Sequence, residues 1–194
     1  MMPRDERDAP FKYELLEDQL YPNEIASLRV FAETQTATDN YIELYNRPDS
    51  WDTEGVIAKV NELFRAYIKD TFYLTGVLEP RLFKILKTDE AAGHTENYNT
   101  LDTRNEILYT ATLSLNGAED YSGGVTVFRK AGDSVSPAAG DIIICRQEEL
   151  NSWEIVPTSS GFRLDVVLVL TELQKVADYK EFKMEQSIDD GVEY

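Results

Sequence analysis

Short apolar segments separated by turns occupy the chain beyond Leu82, and they constrain the fold more than any other feature. Turn-forming groups such as Asn116-Gly117, Ala131-Gly132-Asp133 and Ser159-Ser160-Gly161 recur between these segments. Many short strands at regular spacing favour a β-sandwich or barrel of jelly-roll type. The predicted strands cover residues 82–86, 107–115, 125–128, 134–135, 141–145, 155–156 and 162–170.

The N-terminal part predicts one strand followed by helices. Residues 11–20 alternate loosely and predict a short strand, and Pro22-Asn23-Glu24 predicts the start of a helix. Residues 33–50 are polar and predict turns. A second helix is predicted from about Ser50 to Asp70, because its apolar residues recur on one broad face.

The length of 194 residues fits one domain with a core of its own. The pattern predicts a flexible lead over 1–10, a single domain over 11–173 and an acidic tail over 174–194. The fold class is α+β and mainly β, with packing helices in the N-terminal part.

Charge excludes several kinds of partner. The chain has 36 acidic and 19 basic residues, for a net charge of -17 at pH 7. This balance repels phosphate backbones and anionic lipid surfaces, so we expect neither nucleic-acid nor membrane binding. The lone Cys145 cannot form an internal disulfide, and the N-terminus lacks a signal-peptide core, so we expect a cytoplasmic protein.

The only histidine, His94, lies in the segment Gly93-His94-Thr95-Glu96-Asn97. In an extended segment, His94 and Glu96 would lie on the same side, as two ligands of one metal must. A facial triad of two histidines and one carboxylate needs a second histidine, which this chain does not have. An ordinary loop histidine is the alternative interpretation.

Five motifs occur in an order that resembles a known enzyme superfamily. They are His94-Thr95-Glu96-Asn97, Tyr109-Thr110 through Leu115-Asn116, Gly123-Gly124-Val125-Thr126-Val127-Phe128, Pro137-Ala138-Ala139-Gly140-Asp141, and Trp153 through Gly161-Phe162-Arg163. The order resembles the 2-oxoglutarate and Fe(II)-dependent oxygenases, in particular their prolyl 4-hydroxylase-like branch, from about Tyr13 to Leu170. The resemblance implies a double-stranded β-helix (jelly roll).

The resemblance also implies cofactors and roles. It implies Fe(II) and 2-oxoglutarate as cofactors, with His94 and Glu96 as iron ligands. It implies that Arg163 binds the far carboxylate of 2-oxoglutarate, a task suited to a bidentate guanidinium. Tyr109 matches a tyrosine that some members place near the co-substrate. The alternative interpretations are purely structural: Tyr109 would be a packed aromatic residue of a strand, and Arg163 would form a salt bridge with Asp165.

Three departures from the motifs predict a degenerate iron site. Trp153 stands at the place of the second histidine, and an indole N–H donates a hydrogen bond but cannot ligate a cation. Val125 replaces a glutamate of the glycine turn. Asp165, two residues after Arg163, would share its strand face and partly neutralise it. Trp153 is interpreted as filling the emptied metal pocket.

We therefore assign no catalytic residue and predict a non-catalytic binding or structural module, which could form part of a larger assembly. Its acidic surface would suit a basic or polar protein partner. One alternative is an active Fe(II)/2-oxoglutarate-dependent hydroxylase with an unusual site of His94, Glu96 and a carboxylate such as Glu154. The other is a carboxylate-binding pocket at Arg163 without redox chemistry.

Overall fold

The computed structural model contains two helices and twelve strands in the part of the chain that it describes. It describes residues 13–36, 41–44, 56–95, 108–129, 131–147 and 153–173. The helices are α1 (Pro22–Gln35) and α2 (Val56–Phe72). The strands are β1 (Tyr13–Leu16), β2 (Tyr41–Leu44), β3 (Val77–Thr88), β4 (His94–Thr95), β5 (Leu108–Ser114), β6 (Tyr121–Gly123), β7 (Thr126–Phe128), β8 (Asp133–Val135), β9 (Ile142–Gln147), β10 (Glu154–Ile155), β11 (Thr158–Gly161) and β12 (Arg163–Leu173). The predicted lead, the predicted tail and Glu96 lie outside the described residues.

The strands form two main antiparallel sheets and a small third one. The larger sheet has the order β1-β9-β5-β12-β3-β2, the second has the order β4-β10-β7-β8, and β11 pairs with β6. From β3 to β12 the chain passes back and forth between the two main sheets, so strands distant in sequence become neighbours. This arrangement is a double-stranded β-helix, and it confirms the predicted fold class.

Alternation along β12 divides the buried residues into two cores. Leu164, Val166, Leu168 and Leu170 belong to a core that the larger sheet shares with α1 and α2. Val167 and Val169 belong to a second core that includes residues of both main sheets. Because successive side chains of a strand face opposite sides, Arg163 and Asp165 share the face of Val167 and Val169. We call the space on this face, between the two main sheets, the interior.

The helix predictions are confirmed in their main features. Helix α1 begins at Pro22, as predicted, and Glu24 accepts a hydrogen bond from the backbone N–H of Tyr21 at 3.0 Å. In α2, Val60, Phe64 and Ile68 of the predicted apolar stripe are buried at 0–1% exposure, and Leu63 and Tyr67 are partly buried. The predicted start of this helix near Ser50 lies outside the described residues. Within the described residues, neither helix has the length and apolar character needed to cross a membrane.

Several short strands were missed by the sequence analysis. Strand β2 and the end of α1 lie in the segment 33–50, for which the sequence predicts a polar, turn-rich segment and no strand. Strand β11 includes Ser159-Ser160-Gly161, which the sequence predicts to be a turn, and β4 and β6 are not among the predicted strands. These strands depend on partners far along the chain, such as Thr158 opposite Gly123, which a local pattern does not reveal.

Candidate functional site

The first residues of β12 place a buried ion pair inside the jelly roll. Arg163 pairs with Thr88 of β3, and Asp165 pairs with Ser114 of β5. The side chains of Arg163 and Asp165 are both 0% exposed. A fully buried charge is costly unless it is paired and hydrogen-bonded, so the contacts of these two side chains decide what the site can bind.

Arg163 finds acceptors within the chain for its whole guanidinium. Its Nε lies 2.8 Å from Asp165 Oδ2 and 3.1 Å from Oδ1, and its Nη2 donates to Oδ1 at 2.9 Å. Its Nη1 donates to the Gly124 carbonyl at 2.6 Å and to Thr126 Oγ1 at 2.9 Å. Its Nη2 also lies 3.5 Å from Ser114 Oγ. The donors predicted for a bound co-substrate are therefore used by the protein itself.

The surroundings of the pair are also polar and buried. Ser114 Oγ donates to Asp165 Oδ1 at 2.8 Å. Thr88, across from Arg163, is 1% exposed, and its Oγ1 has no hydrogen-bond partner among the described residues. Burial raises the pKa of the nearby Tyr121 to about 12, although the positive charge of Arg163 acts in the opposite direction.

Trp153 lies in the interior at the place predicted for a second histidine. It is 2% exposed and belongs to the core between the two main sheets, together with Phe128 and Ile155. Glu154, the next residue, forms an ion pair with Arg129 through contacts of 2.6 and 3.3 Å. Thus the residue proposed as an alternative metal ligand already binds a guanidinium.

Of the remaining predicted site residues, Tyr109 is not brought together with Arg163, and only the backbone of His94 is described. The backbone of His94 pairs with Ile155, which places β4 beside the strand that follows Trp153. Tyr109 is 3% exposed in the core shared with the helices, and its ring lies 5.0 Å from that of Phe72. It therefore faces away from the interior. The roles assigned to His94, Glu96 and Tyr109 stay predictions.

Sequence reasoning missed several residues of the interior. Ser114 and Thr126 complete the network around the ion pair, and Lys84 is 3% exposed on β3 between the interior residues Leu82 and Leu86. One signal was available: a lysine interrupts the apolar run at residues 82–86, and in a strand it shares a face with both neighbouring leucines.

Arg163 and Trp153 do not fit the cofactors that the resemblance implies. Among the described residues, no group of three or more histidine, cysteine, aspartate or glutamate side chains could hold a metal ion. Asp165 accepts hydrogen bonds from Nε and Nη2 of Arg163, the guanidinium to which the resemblance assigns the 2-oxoglutarate carboxylate, so that carboxylate does not fit there in this arrangement. Trp153 offers no lone pair to iron.

Comparison with known proteins shows likeness of structure only. No protein-family model matches the chain, and no curated protein matches its sequence. The viral collagen prolyl hydroxylase of Paramecium bursaria Chlorella virus-1 is 15% identical, with a TM-score of 0.67 over 83% of this chain and 90% of that one. A prolyl-4-hydroxylase from Pseudomonas putida is 15% identical, with a TM-score of 0.61 over 86% of this chain and 95% of that one. HygX from Streptomyces hygroscopicus, solved with nickel and 2-oxoglutarate bound, is 13% identical, with a TM-score of 0.63 over 89% and 88% of the two chains.

These similarities define the class of fold. The chain has the double-stranded β-helix of the 2-oxoglutarate and Fe(II)-dependent oxygenases, and prolyl hydroxylases are among the structures it matches. The fold expected from the five motifs is confirmed. A shared fold does not establish a shared activity, so function has to be argued from the site.

Proposed function

We propose that this chain is a non-catalytic relative of the prolyl 4-hydroxylase-like oxygenases that serves as a binding or structural module. One observation carries the proposal: the guanidinium of Arg163 is buried and paired with Asp165, whose Oδ1 accepts hydrogen bonds from both Nε and Nη2. A co-substrate carboxylate would have to displace Asp165 and leave that charge buried without a partner. An uncompensated buried charge costs about 3–5 kcal/mol, which opposes binding.

Trp153 supports the same proposal from the metal side. Its side chain fills interior space among apolar residues such as Phe128 and Ile155. A large buried aromatic side chain stabilises the domain by the apolar area that it removes from water. We infer that Trp153 contributes to packing of the interior and not to metal binding.

The competing proposal is an active hydroxylase with an unusual metal site. It would need Glu154, or a residue with equivalent chemistry, to join His94 and Glu96 at the metal. Glu154 instead forms an ion pair with Arg129, and its neighbours Trp153 and Ile155 are the residues buried in the interior. This geometry favours the non-catalytic proposal.

Binding and turnover measurements on the full chain test the proposal. Thermal-shift assays and calorimetry would use Mn(II) or anaerobic Fe(II), with and without 2-oxoglutarate, succinate or N-oxalylglycine, each at about 1 mM. A ligand that binds only the folded state raises the melting temperature, so we expect no rise with any combination. We also expect no conversion of 2-oxoglutarate to succinate.

Two outcomes would replace the proposal with one of its alternatives. Micromolar Fe(II) binding with 2-oxoglutarate turnover, lost in H94A, would establish an active oxygenase. Stabilisation by 2-oxoglutarate without metal, lost in R163M, would establish a carboxylate-binding pocket without redox chemistry. The variant R129M, which removes an exposed arginine, is the control for nonspecific charge effects.

We also propose that the partner of this module is a basic or polar protein. The net charge of -17 supports this proposal, because opposite surface potentials speed association and exclude wrong partners. A protein that co-purifies with the full chain should dissociate as salt rises from about 0.05 to about 0.5 M, since salt screens exposed charges. Equal retention at both concentrations would contradict electrostatic recognition.

A further inference from the structure

We infer that Asp165 is an internal ligand: its carboxylate occupies a site on Arg163 that would otherwise take a small monocarboxylate from solution. The inference deepens the proposed function and rests on it, because a site filled by the protein's own carboxylate does not receive a co-substrate. It predicts that removing the Asp165 side chain turns the interior into a binding site for acetate or formate.

Asp165 is held mainly through one oxygen: Arg163 Nε and Nη2 both donate to Oδ1, while Oδ2 lies close to the guanidinium without a hydrogen bond among the described residues. Both oxygens lie within 3.1 Å of the Arg163 guanidinium, at 2.8 Å for Oδ2 and at 2.9 and 3.1 Å for Oδ1. Ser114 adds a hydroxyl donor to Oδ1 at 2.8 Å. Charged planar pairs of this kind are strong and directional. Arg163 and Asp165 can meet in this way because residues two apart on a strand share one face.

The charge of Arg163 makes an anion necessary at this place. A guanidinium stays protonated in proteins, and this one is 0% exposed. Its other acceptors, the Gly124 carbonyl and the hydroxyls of Thr126 and Ser114, are neutral. Truncating Asp165 to glycine would remove a CH2–COO⁻ group and leave a buried cation beside a void of similar size to acetate.

Thr88 is the second observation that points to a ligand. Thr88 is 1% exposed and pairs with Arg163 across the sheet, and its hydroxyl has no hydrogen-bond partner among the described residues. Buried hydroxyls are normally hydrogen-bonded. Thr88 Oγ1 and Asp165 Oδ2, which also has no hydrogen-bond partner among the described residues, are therefore two buried polar atoms left unsatisfied by the present arrangement.

The test is chemical rescue of D165G in the full chain. Melting temperatures would be measured in sodium acetate and in sodium chloride at equal ionic strength. We expect acetate to raise the melting temperature of D165G by about 5–10 °C once it exceeds its Kd about 100-fold. Wild-type protein should show only the small general difference between the two salts, because its site is filled. Acetamide, which is similar in shape but neutral, should not rescue D165G.

Matched variants separate this site from general stabilisation by salt. D165N keeps the volume of the side chain but removes its charge, so we expect lower stability without rescue by acetate. The double variant R163M/D165G lacks the cation and should lose the rescue. If D165G does not fold in chloride, its yield on refolding from urea in acetate and in chloride replaces the melting temperature as the readout.

Three outcomes would overturn the inference: an equal response of D165G to acetate and chloride, equal rescue of R163M/D165G, or equal refolding yields in both salts. These failures would leave the non-catalytic proposal standing. Conversely, turnover of 2-oxoglutarate by wild-type protein would overturn the proposed function whatever D165G does.

Discussion

The buried ion pair predicts a large and non-additive loss of stability when either partner is removed. Arg163→Met leaves the carboxylate of Asp165 buried without its cation, which costs about 3–5 kcal/mol. The Gly124 carbonyl and Thr126 Oγ1 also lose a donor, at about 1 kcal/mol each. Because these effects overlap, we expect a total loss of about 4–6 kcal/mol. A domain of this kind has about 5–15 kcal/mol in all.

The double variant isolates the interaction between the two charges. Asp165→Asn alone leaves Arg163 without its anion, and we expect a loss of about 3–4 kcal/mol. In R163M/D165N neither charge remains, so the combined loss should fall short of the sum of the two single losses by at least about 2 kcal/mol. Contacting residues in one network typically show coupling of this size.

Urea unfolding followed by circular dichroism measures these free energies, provided that the m-values agree among the variants. The matched control is R129M, the same chemical change at an arginine whose side chain is 66% exposed in its pair with Glu154. An exposed pair contributes about 0–1 kcal/mol. The reasoning is refuted if R163M costs no more than R129M, or if the single losses add to within about 0.5 kcal/mol of the double.

Three further predictions concern the surroundings of the site and one turn. The stability that comes from keeping Tyr121 protonated is fully present below pH 10 and is lost as the pH rises to about 12. Because Y121F has no hydroxyl to ionise, its free energy of unfolding should fall by about 2–3 kcal/mol less than that of wild type over this range. Y73F changes a residue that is 88% exposed and should behave like wild type. Equal behaviour of the two variants in a pH series of urea unfolding would contradict this. Gly161 and Gly132 both have positive φ, but a Cβ at Gly161 would lie 2.3 Å from a backbone oxygen, whereas a Cβ at Gly132 would meet nothing within 4 Å. In thermal unfolding, G161A should therefore lower the stability by at least about 3 kcal/mol, and G132A by only about 1–2 kcal/mol. T88V should be neutral or stabilising by about 1 kcal/mol in the same assay, because it removes a buried hydroxyl without a partner, and a clear loss would mean that the hydroxyl is hydrogen-bonded.

Elements with a strong local pattern were predictable, and elements without one were not. The apolar stripe of α2 and the long apolar runs of β5, β9 and β12 are visible in the sequence because burial imposes a fixed period on each element. Strands β6 and β11 contain few apolar residues, and they exist because they pair with each other across more than thirty intervening residues. Their glycines and serines indicate turns to any local method.

The sequence by itself determined that Arg163 and Asp165 share one face of a strand, since side chains alternate with a period of two. It also determined that the chain has a single histidine and an indole where a second one would stand. Only the tertiary structure decided that this face of β12 lies between the sheets, with Ser114, Gly124 and Thr126 around the guanidinium. The physical reason is that alternation is local, whereas the groups that cover a strand face come from segments brought together by sheet pairing.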